Sequence, residues 1–175
     1  MRRIILIGYM GAGKTTVGYA LSKATGMPFY DLDWYIETRM RRKVSEIFAE
    51  KGEGGFRAIE REMLHEVAEF ENVIVSCGGG TPCHFDNMDY LNRQGDTVYL
   101  KASPEVLCAH LAMGRTVRPL IAGKTPGELL TFIREQLAAR EEYYCRAKHT
   151  LDVDLMDNRG KIGLSVEAAR RLLGI

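Results

Sequence analysis

The chain has 175 residues, of which 46% are hydrophobic and 27% are charged, and its formal net charge is +1. This length and composition predict one soluble domain over residues 1–175, and no segment approaches the roughly 18 consecutive apolar residues of a membrane helix. The small net charge gives no general attraction to nucleic acid or to an anionic membrane. The apolar run at residues 4–7 is too short for a signal peptide, and the four cysteines show no CxxC spacing. We therefore expect a cytoplasmic monomer with reduced thiols and with no nucleic-acid or membrane partner.

The first predicted elements are a strand at Arg3–Ile7, a loop at Gly8–Gly13 and a helix over about Lys14–Thr25. Residues 8–15 match the pattern G-x-x-x-x-G-K-[ST], and they do so between a strand and a helix, which makes the pattern specific. In such a loop the backbone N–H groups and the helix N-terminus face one centre, to which Lys14 adds a full positive charge. The pattern predicts a site for the β- and γ-phosphates of a nucleotide.

The phosphate loop supplies the predicted nucleotide contacts. These come from Gly11, Ala12, Gly13, Lys14, Thr15 and Thr16. The Thr15 hydroxyl is the expected protein ligand of a Mg²⁺ ion that bridges phosphate oxygens. Thr16 either touches the α-phosphate or packs in the first turn of the helix, and both alternatives stay open.

Two carboxylates follow a second short strand near Phe29–Asp31. Asp31 and Asp33 are separated by one residue at the carboxyl end of this strand, where the ligands of parallel sheets collect. One of them can serve the metal, which we assign to Asp31. The other, Asp33, can serve the acceptor hydroxyl, because phosphoryl transfer needs a group that orients the hydroxyl and accepts its proton. The alternative is that both aspartates only form a turn or cap a helix.

The remaining sequence alternates apolar runs with helical periods. Strands are predicted at residues 73–76, 97–100 and 151–155, a loop at 157–163, and helices near 35–42, 45–50, 55–69, from 103, over 125–146 and over 165–173. Parallel strands need helical crossovers, so this alternation predicts an α/β fold of three layers, with a parallel sheet of about five strands between helices on both faces.

The segment Gly114–Gly123 carries Arg115 and Arg118 between glycines, which suits a lid that closes over phosphates and excludes water. An ordinary solvated loop is the alternative.

Two further features suit an anionic acceptor. Arg57 can hold a carboxylate with two parallel hydrogen bonds, and Glu60 lies on the same helical face to orient it. From the residues alone a surface ion pair is favoured, because most neighbouring Arg and Glu side chains on a helix form only that. Gly78–Gly80 directly follow a predicted strand, where three glycines favour a close backbone approach or a positive φ over a plain loop.

These motifs resemble those of the shikimate kinase family, in the same order, from residue 4 to about residue 145. The resemblance rests on residues 8–18, 31–33, 36–37, 46–48, 52–60, 78–80 and 118–120. The combination of D-x-D, G-E-x-x-F-R and the triple glycine is more specific than the phosphate loop alone. It implies a P-loop kinase fold with a lid over about residues 112–124. The implied activity is ATP- and Mg²⁺-dependent phosphorylation of the 3-hydroxyl of shikimate, giving shikimate 3-phosphate and ADP in aromatic amino-acid biosynthesis.

The resemblance also implies roles for residues of the acceptor side. Asp33 would orient or deprotonate the attacking hydroxyl. Arg57 and Arg140 would hold the shikimate carboxylate, with the backbone N–H groups of Gly79 and Gly80 close to the substrate. The helices within residues 33–60 would form the acceptor-binding region.

On the donor side, Lys14 and Arg118 would stabilise the transferring phosphoryl group, and Arg118 would contact the nucleotide from the lid. The chain departs from the family pattern at Leu111, where an arginine often stacks on adenine. Arg115 either substitutes for it or the contact is absent. Candidates for the base-binding loop are Asn158 and Arg159.

Two rival functions remain at this stage, a gluconate-type small-metabolite kinase and a non-catalytic nucleotide switch. A metal cluster of Cys77, Cys83 and His84 is disfavoured, because a structural zinc site needs a fourth ligand. Trp34 is either structural or a wall of the acceptor pocket beside Asp33.

Overall fold

A single parallel sheet forms the centre of the computed structural model, which describes residues 2–114, 119–154 and 159–175. Its strands are β1 (Arg3–Ile7), β2 (Phe29–Asp31), β3 (Val73–Ser76), β4 (Asp96–Lys101) and β5 (His149–Asp152). The strand order is β2-β3-β1-β4-β5. In the central strand, Ile5 pairs with Val75 of β3 on one side and with Thr97 of β4 on the other. The predicted parallel sheet of about five strands is confirmed.

Helices cover both faces of this sheet. They are α1 (Lys14–Thr25), α2 (Leu32–Met40), α3 (Val44–Ala68), α4 (Asn87–Gln94), α5 (Pro104–Met113), α6 (Pro126–Tyr144) and α7 (Arg159–Leu173), with 3₁₀ turns at Thr81–Cys83 and Pro119–Ile121. The connection from β1 to β2 runs in the opposite direction from all later ones, and crossovers are right-handed, so α1 lies on one face and α2–α6 lie on the other. Helix α7 packs against α1. The predicted three-layer α/β arrangement is confirmed.

The sheet is buried by close packing on both sides. Residues 4–7 of β1 are at most 1% exposed, which is the continuous apolar run expected of a strand covered on both faces. Gly18 lets α1 approach the sheet, because a Cβ there would lie 2.1 Å from Cε2 of Phe29. Among the described residues, no helix is both long and apolar enough to cross a membrane.

Several element boundaries differ from the sequence prediction. The two helices predicted within residues 45–69 form one element, α3, whose backbone departs from helical geometry at Gly52, with φ 67°. Strand β5 begins at His149, two residues before the predicted start. The loop prediction for residues 157–163 is wrong from residue 159 onward, because α7 already begins at Arg159. There the packing of α7 on α1 outweighs the low helix propensity of two glycines.

Candidate active site

The candidate site lies at the carboxyl ends of three neighbouring strands. The loop of residues 8–13 leaves β1, Asp31 ends β2, and Gly78–Gly80 come one residue after β3. Because β3 lies between β1 and β2, the glycines stand between the phosphate loop and the aspartates. Residues that are far apart in the sequence therefore share one edge of the sheet, where ligands of open α/β sheets bind.

The phosphate loop adopts a backbone that glycine accepts without strain. Gly8, Gly11 and Gly13 have φ of 141°, 84° and 86°. A Cβ on Gly8 would also lie 2.7 Å from a carbonyl oxygen of β4. The Nζ of Lys14 donates to the carbonyl oxygens of Gly8 and Tyr9 at 2.8 and 3.0 Å, so its ammonium group lies over the start of the loop. The first turn of α1 has no side-chain cap, which leaves its N–H groups to an anion.

Helix α5 supports the phosphate loop from a distant part of the sequence. A ring nitrogen of His110 lies 2.9 Å from the carbonyl oxygen of Gly11. Leu111 packs on the same glycine, since a Cβ there would lie 3.0 Å from Cγ of Leu111. Sequence reasoning missed the His110 contact, because no spacing links residues 99 positions apart. Leu111, which stands where the family often has an adenine-stacking arginine, contacts the loop.

Asp31 links the phosphate loop to the next helix. The Thr15 hydroxyl donates to Oδ2 of Asp31 at 3.0 Å. The other carboxylate oxygen of Asp31 accepts from the backbone N–H groups of Asp33 and Trp34 and caps α2. The helix cap that was the alternative role for Asp31 is therefore present. In addition, the Thr15 hydroxyl and Oδ2 of Asp31 form a pair of oxygens next to the phosphate loop. Within the described ranges, no cluster of three or more metal-binding His, Cys, Asp or Glu side chains occurs.

Asp33 lies in the first turn of α2 with a perturbed carboxyl group. Burial raises the pKa of Asp33 from 3.8 to about 6, and the nearby carboxylates of Asp31 and Glu60 act in the same direction. Lys14 and Arg57 oppose this rise in pKa. Near neutral pH such a carboxylate is ionised and is a stronger proton acceptor than a solvated aspartate. The pKa suits a general base.

Arg57 belongs to a buried ionic network. Its Nη1 donates to Oε2 of Glu60 at 2.8 Å, and the two side chains are 13% and 1% exposed. The other oxygen of Glu60 accepts from the Thr81 hydroxyl at 2.6 Å. This burial argues against the surface ion pair weighed from the sequence. The Nε of Arg57 is buried without a hydrogen-bond partner in the described part of the chain, so it is suited to an oxyanion.

The triple glycine is a close-approach site. None of these described glycines has a positive φ, and Gly80 has φ −86°. A Cβ on Gly80 would lie 2.4 Å from Nη2 of Arg57, whereas one on Gly79 would lie 3.5 Å from Nη1 of Arg140. Of the two reasons predicted for these glycines, a close approach is present at Gly80, where the neighbour is Arg57, and the approach of a ligand stays a prediction. Each of the two arginines thus lies near one residue of the Gly79–Gly80 dipeptide.

Arg140 reaches this dipeptide from α6. Its guanidinium lies over the Tyr9 ring, 5.5 Å from the centroid, and its Nη2 donates to Oε1 of Gln136 at 3.1 Å. The side chain is thus held between the start of the phosphate loop and the turn at Gly79. Four chain segments contribute to the acceptor side: α2, α3, the turn after β3 and α6.

Some predicted site residues lie outside the described ranges. These are Arg115, Arg118 and Asn158. They include the two arginines of the predicted lid, which therefore stays a prediction. The backbone at Arg159 begins α7.

Other residues singled out from the sequence are described. Thr16 is exposed, which disfavours packing in the first turn. The ring of Trp34 lies 6.3 Å from that of Tyr19, and the side chain is 52% exposed, so the contact with α1 favours a structural role. Cys83 is half-buried near both arginines, and burial raises the pKa of its thiol to about 11. His84 lies 3.8 Å from a carboxylate oxygen of Glu53.

A parallel α/β sheet with a glycine-rich phosphate loop after β1, and with a carboxylate and arginine cluster beside it, defines a P-loop kinase for small molecules. The chain belongs to the shikimate kinase family, whose sequence profile, described as "Shikimate kinase", matches residues 10–163.

Individual relatives agree with this assignment over the whole chain. A shikimate kinase from Phocaeicola vulgatus is 51% identical over 173 residues, 99% of each chain. The crystal structure of shikimate kinase from Bacteroides thetaiotaomicron matches with a TM-score of 0.97 and 48% identity, covering 99% of both chains. The shikimate kinase from Acinetobacter baumannii, solved in complex with shikimate, matches with a TM-score of 0.86 and 29% identity over 99% of this chain and 94% of that one.

Proposed function

We propose that the chain transfers the γ-phosphoryl group of ATP to the 3-hydroxyl of shikimate, giving shikimate 3-phosphate and ADP. The observation that carries the proposal is the approach of Arg57 and Arg140 to one glycine dipeptide, with the Asp33 carboxylate in the same electrostatic cluster. A carboxylate-binding pair beside a proton acceptor fits a hydroxylated carboxylic acid. The solved complex of the Acinetobacter baumannii relative contains shikimate.

On the donor side, the backbone N–H groups of Gly11, Ala12 and Gly13 and the N-terminus of α1 bind the phosphates of ATP. Lys14 moves its ammonium group from the loop carbonyls to the β- and γ-phosphates, where it offsets the developing negative charge. Thr16 is exposed at the same helix terminus and contacts the α-phosphate.

The residues near the loop also fit Mg²⁺. Thr15 and Asp31 offer a hydroxyl and a carboxylate oxygen 3.0 Å apart, and Mg²⁺ binds oxygen ligands with only one or two protein groups beside the phosphates. Thr15 would coordinate the ion, and Asp31 would hold it directly or through water. When bound, Mg²⁺ neutralises charge on the β- and γ-phosphate oxygens.

On the acceptor side, Asp33 orients the 3-hydroxyl and accepts its proton as the phosphoryl group is transferred. A pKa of about 6 leaves Asp33 ionised at neutral pH and makes this proton transfer less unfavourable than for a solvated aspartate. Arg57, Arg140 and the N–H groups of Gly79 and Gly80 hold the carboxylate, which fixes the position of the hydroxyl.

The last residue of the proposed mechanism is Arg118, which belongs to the predicted lid of residues 112–124. Its guanidinium would approach the transferring phosphoryl group when the lid closes, and closure would exclude water that competes with the acceptor. A single domain, a monomeric state and a cytoplasmic location also stay predictions.

The test is a coupled assay of ADP release with purified protein, Mg²⁺ and ATP, comparing shikimate with gluconate at equal concentrations. We expect turnover with shikimate and formation of a monophosphate at the 3-position, which phosphorus NMR identifies. Turnover with gluconate alone would replace this proposal by the gluconate-type alternative. Nucleotide binding without phosphorylation of either acid would favour the switch.

A further inference from the structure

The Gly79–Gly80 peptide has little free space around it, but its backbone is intrinsically flexible. A Cβ at position 80 would lie 2.4 Å from Nη2 of Arg57, so any larger residue there would displace this guanidinium. Two adjacent glycines also have the widest choice of φ and ψ, so the peptide plane between them can rotate at little steric cost. An amide that must present its N–H group in one direction therefore needs a further restraint at this position.

The Tyr144 hydroxyl supplies such a restraint. It donates to the Gly79 carbonyl oxygen at 2.6 Å, from a side chain that is 0% exposed. The Arg140 guanidinium lies close to the same hydroxyl and opposes the rise of its pKa. Since a guanidinium is only a donor, it can approach only the lone pairs of this hydroxyl, whose proton goes to Gly79. Burial raises the pKa of Tyr144, so the hydroxyl keeps its proton and remains a donor.

The direction of one peptide group fixes the direction of the next N–H. In a trans peptide, the carbonyl of Gly79 and the N–H of Gly80 point in opposite directions across one plane. A hydroxyl that holds this carbonyl therefore turns the Gly80 N–H away from α6. Within the described ranges, that N–H donates to no protein acceptor. Arg140 and Tyr144 are four residues apart on α6, so one helical face supplies both the guanidinium and its support.

We propose that Tyr144 is a positioning residue of the acceptor site, whose hydroxyl orients the Gly80 N–H and the Arg140 guanidinium toward one carboxylate. This inference deepens the proposed function and rests on it. Tyr144 acts before the substrate arrives, by increasing the fraction of protein in which both donors are oriented. The apparent affinity for the carboxylate rises in proportion to that fraction.

A purely structural role for Tyr144 is the competing explanation. Its ring packs in the core, with its centroid 5.1 Å from that of Tyr99. The Tyr144→Phe substitution keeps this packing and removes only the hydroxyl. Tyr99→Phe is the matched control, because Tyr99 is also buried and its hydroxyl has no hydrogen-bond partner among the residues described.

The experiment measures steady-state kinetics of both variants with shikimate and with its neutral methyl ester. For Tyr144→Phe we expect the KM for shikimate to rise about tenfold, the size of one lost hydrogen bond to a buried group, while the KM for ATP stays within about twofold. The preference for shikimate over the ester, as a ratio of kcat/KM, should also fall several-fold. Tyr99→Phe should leave all three quantities unchanged.

The outcomes separate this inference from the proposed function. Wild-type protein that phosphorylates shikimate, with an unchanged KM and ester preference in Tyr144→Phe, would overturn the inference and leave the function intact. Parallel losses with shikimate, ester and ATP, together with a lowered melting temperature, would show a structural role and overturn it as well. Wild-type protein inactive toward shikimate would overturn the function and the inference together.

Discussion

The donor and acceptor sides of this site are built in different ways. The phosphate loop is one continuous segment of residues 8–15, and its ligands are chiefly backbone N–H groups arranged by glycines with positive φ. The acceptor side is assembled from side chains of α2, α3 and α6 around the turn after β3. The donor site therefore depends on the backbone conformation of one segment, whereas the acceptor site depends on single atoms contributed by distant elements.

The largest effect should come from Asp33→Asn, which separates the two sides most sharply. We expect kcat/KM for shikimate to fall by about 10³, because asparagine cannot accept the proton of the attacking hydroxyl. Calorimetric titration should show ATP affinity unchanged within about twofold, since the phosphate loop is intact. Asp89→Asn, at an exposed ion pair with Arg146, is the control and should retain full activity. A variant that still turns over at the wild-type rate would remove Asp33 from the mechanism.

Arg57→Lys should have the next largest effect and should be confined to the acceptor side. Lysine keeps the charge beside Glu60 but loses the planar pair of donors, so we expect the KM for shikimate to rise about 100-fold, with little change for ATP. Calorimetric titration of each variant with shikimate gives a direct reading of acceptor binding. Arg61→Lys, one turn further along α3 in a surface pair with Asp86, is the matched control. Equal losses in both variants would contradict a special role for Arg57.

The pH dependence of kcat/KM for shikimate should show a smaller effect, which also arises on the acceptor side. Because the pKa of Asp33 is raised to about 6, kcat/KM for shikimate should fall about tenfold for each pH unit below 6. Saturating Mg–ATP keeps the titration of the nucleotide out of the profile. A profile that stays level down to pH 5 would show that protonation of Asp33 does not limit the reaction.

The last effect is on stability rather than on activity, and it has the opposite sign. The folded-state pKa of Asp33 lies above its unfolded value of 3.8, so ionisation of this group lowers stability as the pH rises from about 4 through 6. Asp33→Asn should therefore unfold at a higher urea concentration at pH 8, by a free energy of at most about 3 kcal/mol, and the difference should shrink toward pH 4. An Asp33→Asn protein that is less stable than wild type at pH 8 would contradict the burial-raised pKa.

The sequence predicted the phosphate loop of the donor side, because that segment is local, whereas the contact of His110 with Gly11 was missed. The pattern of residues 8–15 already contains the turn, the cation and the hydroxyl, and the strand and helix around it follow from apolar periodicity. Much of the sheet was predicted for the same reason, since β1, β3 and β4 each contain a short apolar run. The start of α7 was missed, because its packing on α1 overrides local propensity.

The acceptor side could be predicted only as a set of residues. Arg57, Arg140 and the triple glycine were named from a resemblance, but their convergence is a property of the fold. Contacts such as Thr81 with Glu60 and Tyr144 with Gly79 join residues 21 and 65 positions apart, and no periodicity encodes them. Burial of the Arg57–Glu60 pair likewise depends on the turn at Gly78–Gly80, which follows another strand.

The Asp31 carboxylate joins the two sides through its two oxygens. One oxygen bonds the Thr15 hydroxyl at the start of α1, and the other starts α2, two residues before the side chain of Asp33. The distance between the phosphate loop and the proposed base, Asp33, is thus set by one short side chain with little conformational freedom. Asp31→Glu would add a single methylene to this side chain. It would therefore change the distance between the phosphate loop and the Asp33 carboxylate while leaving the chemical groups of the site in place.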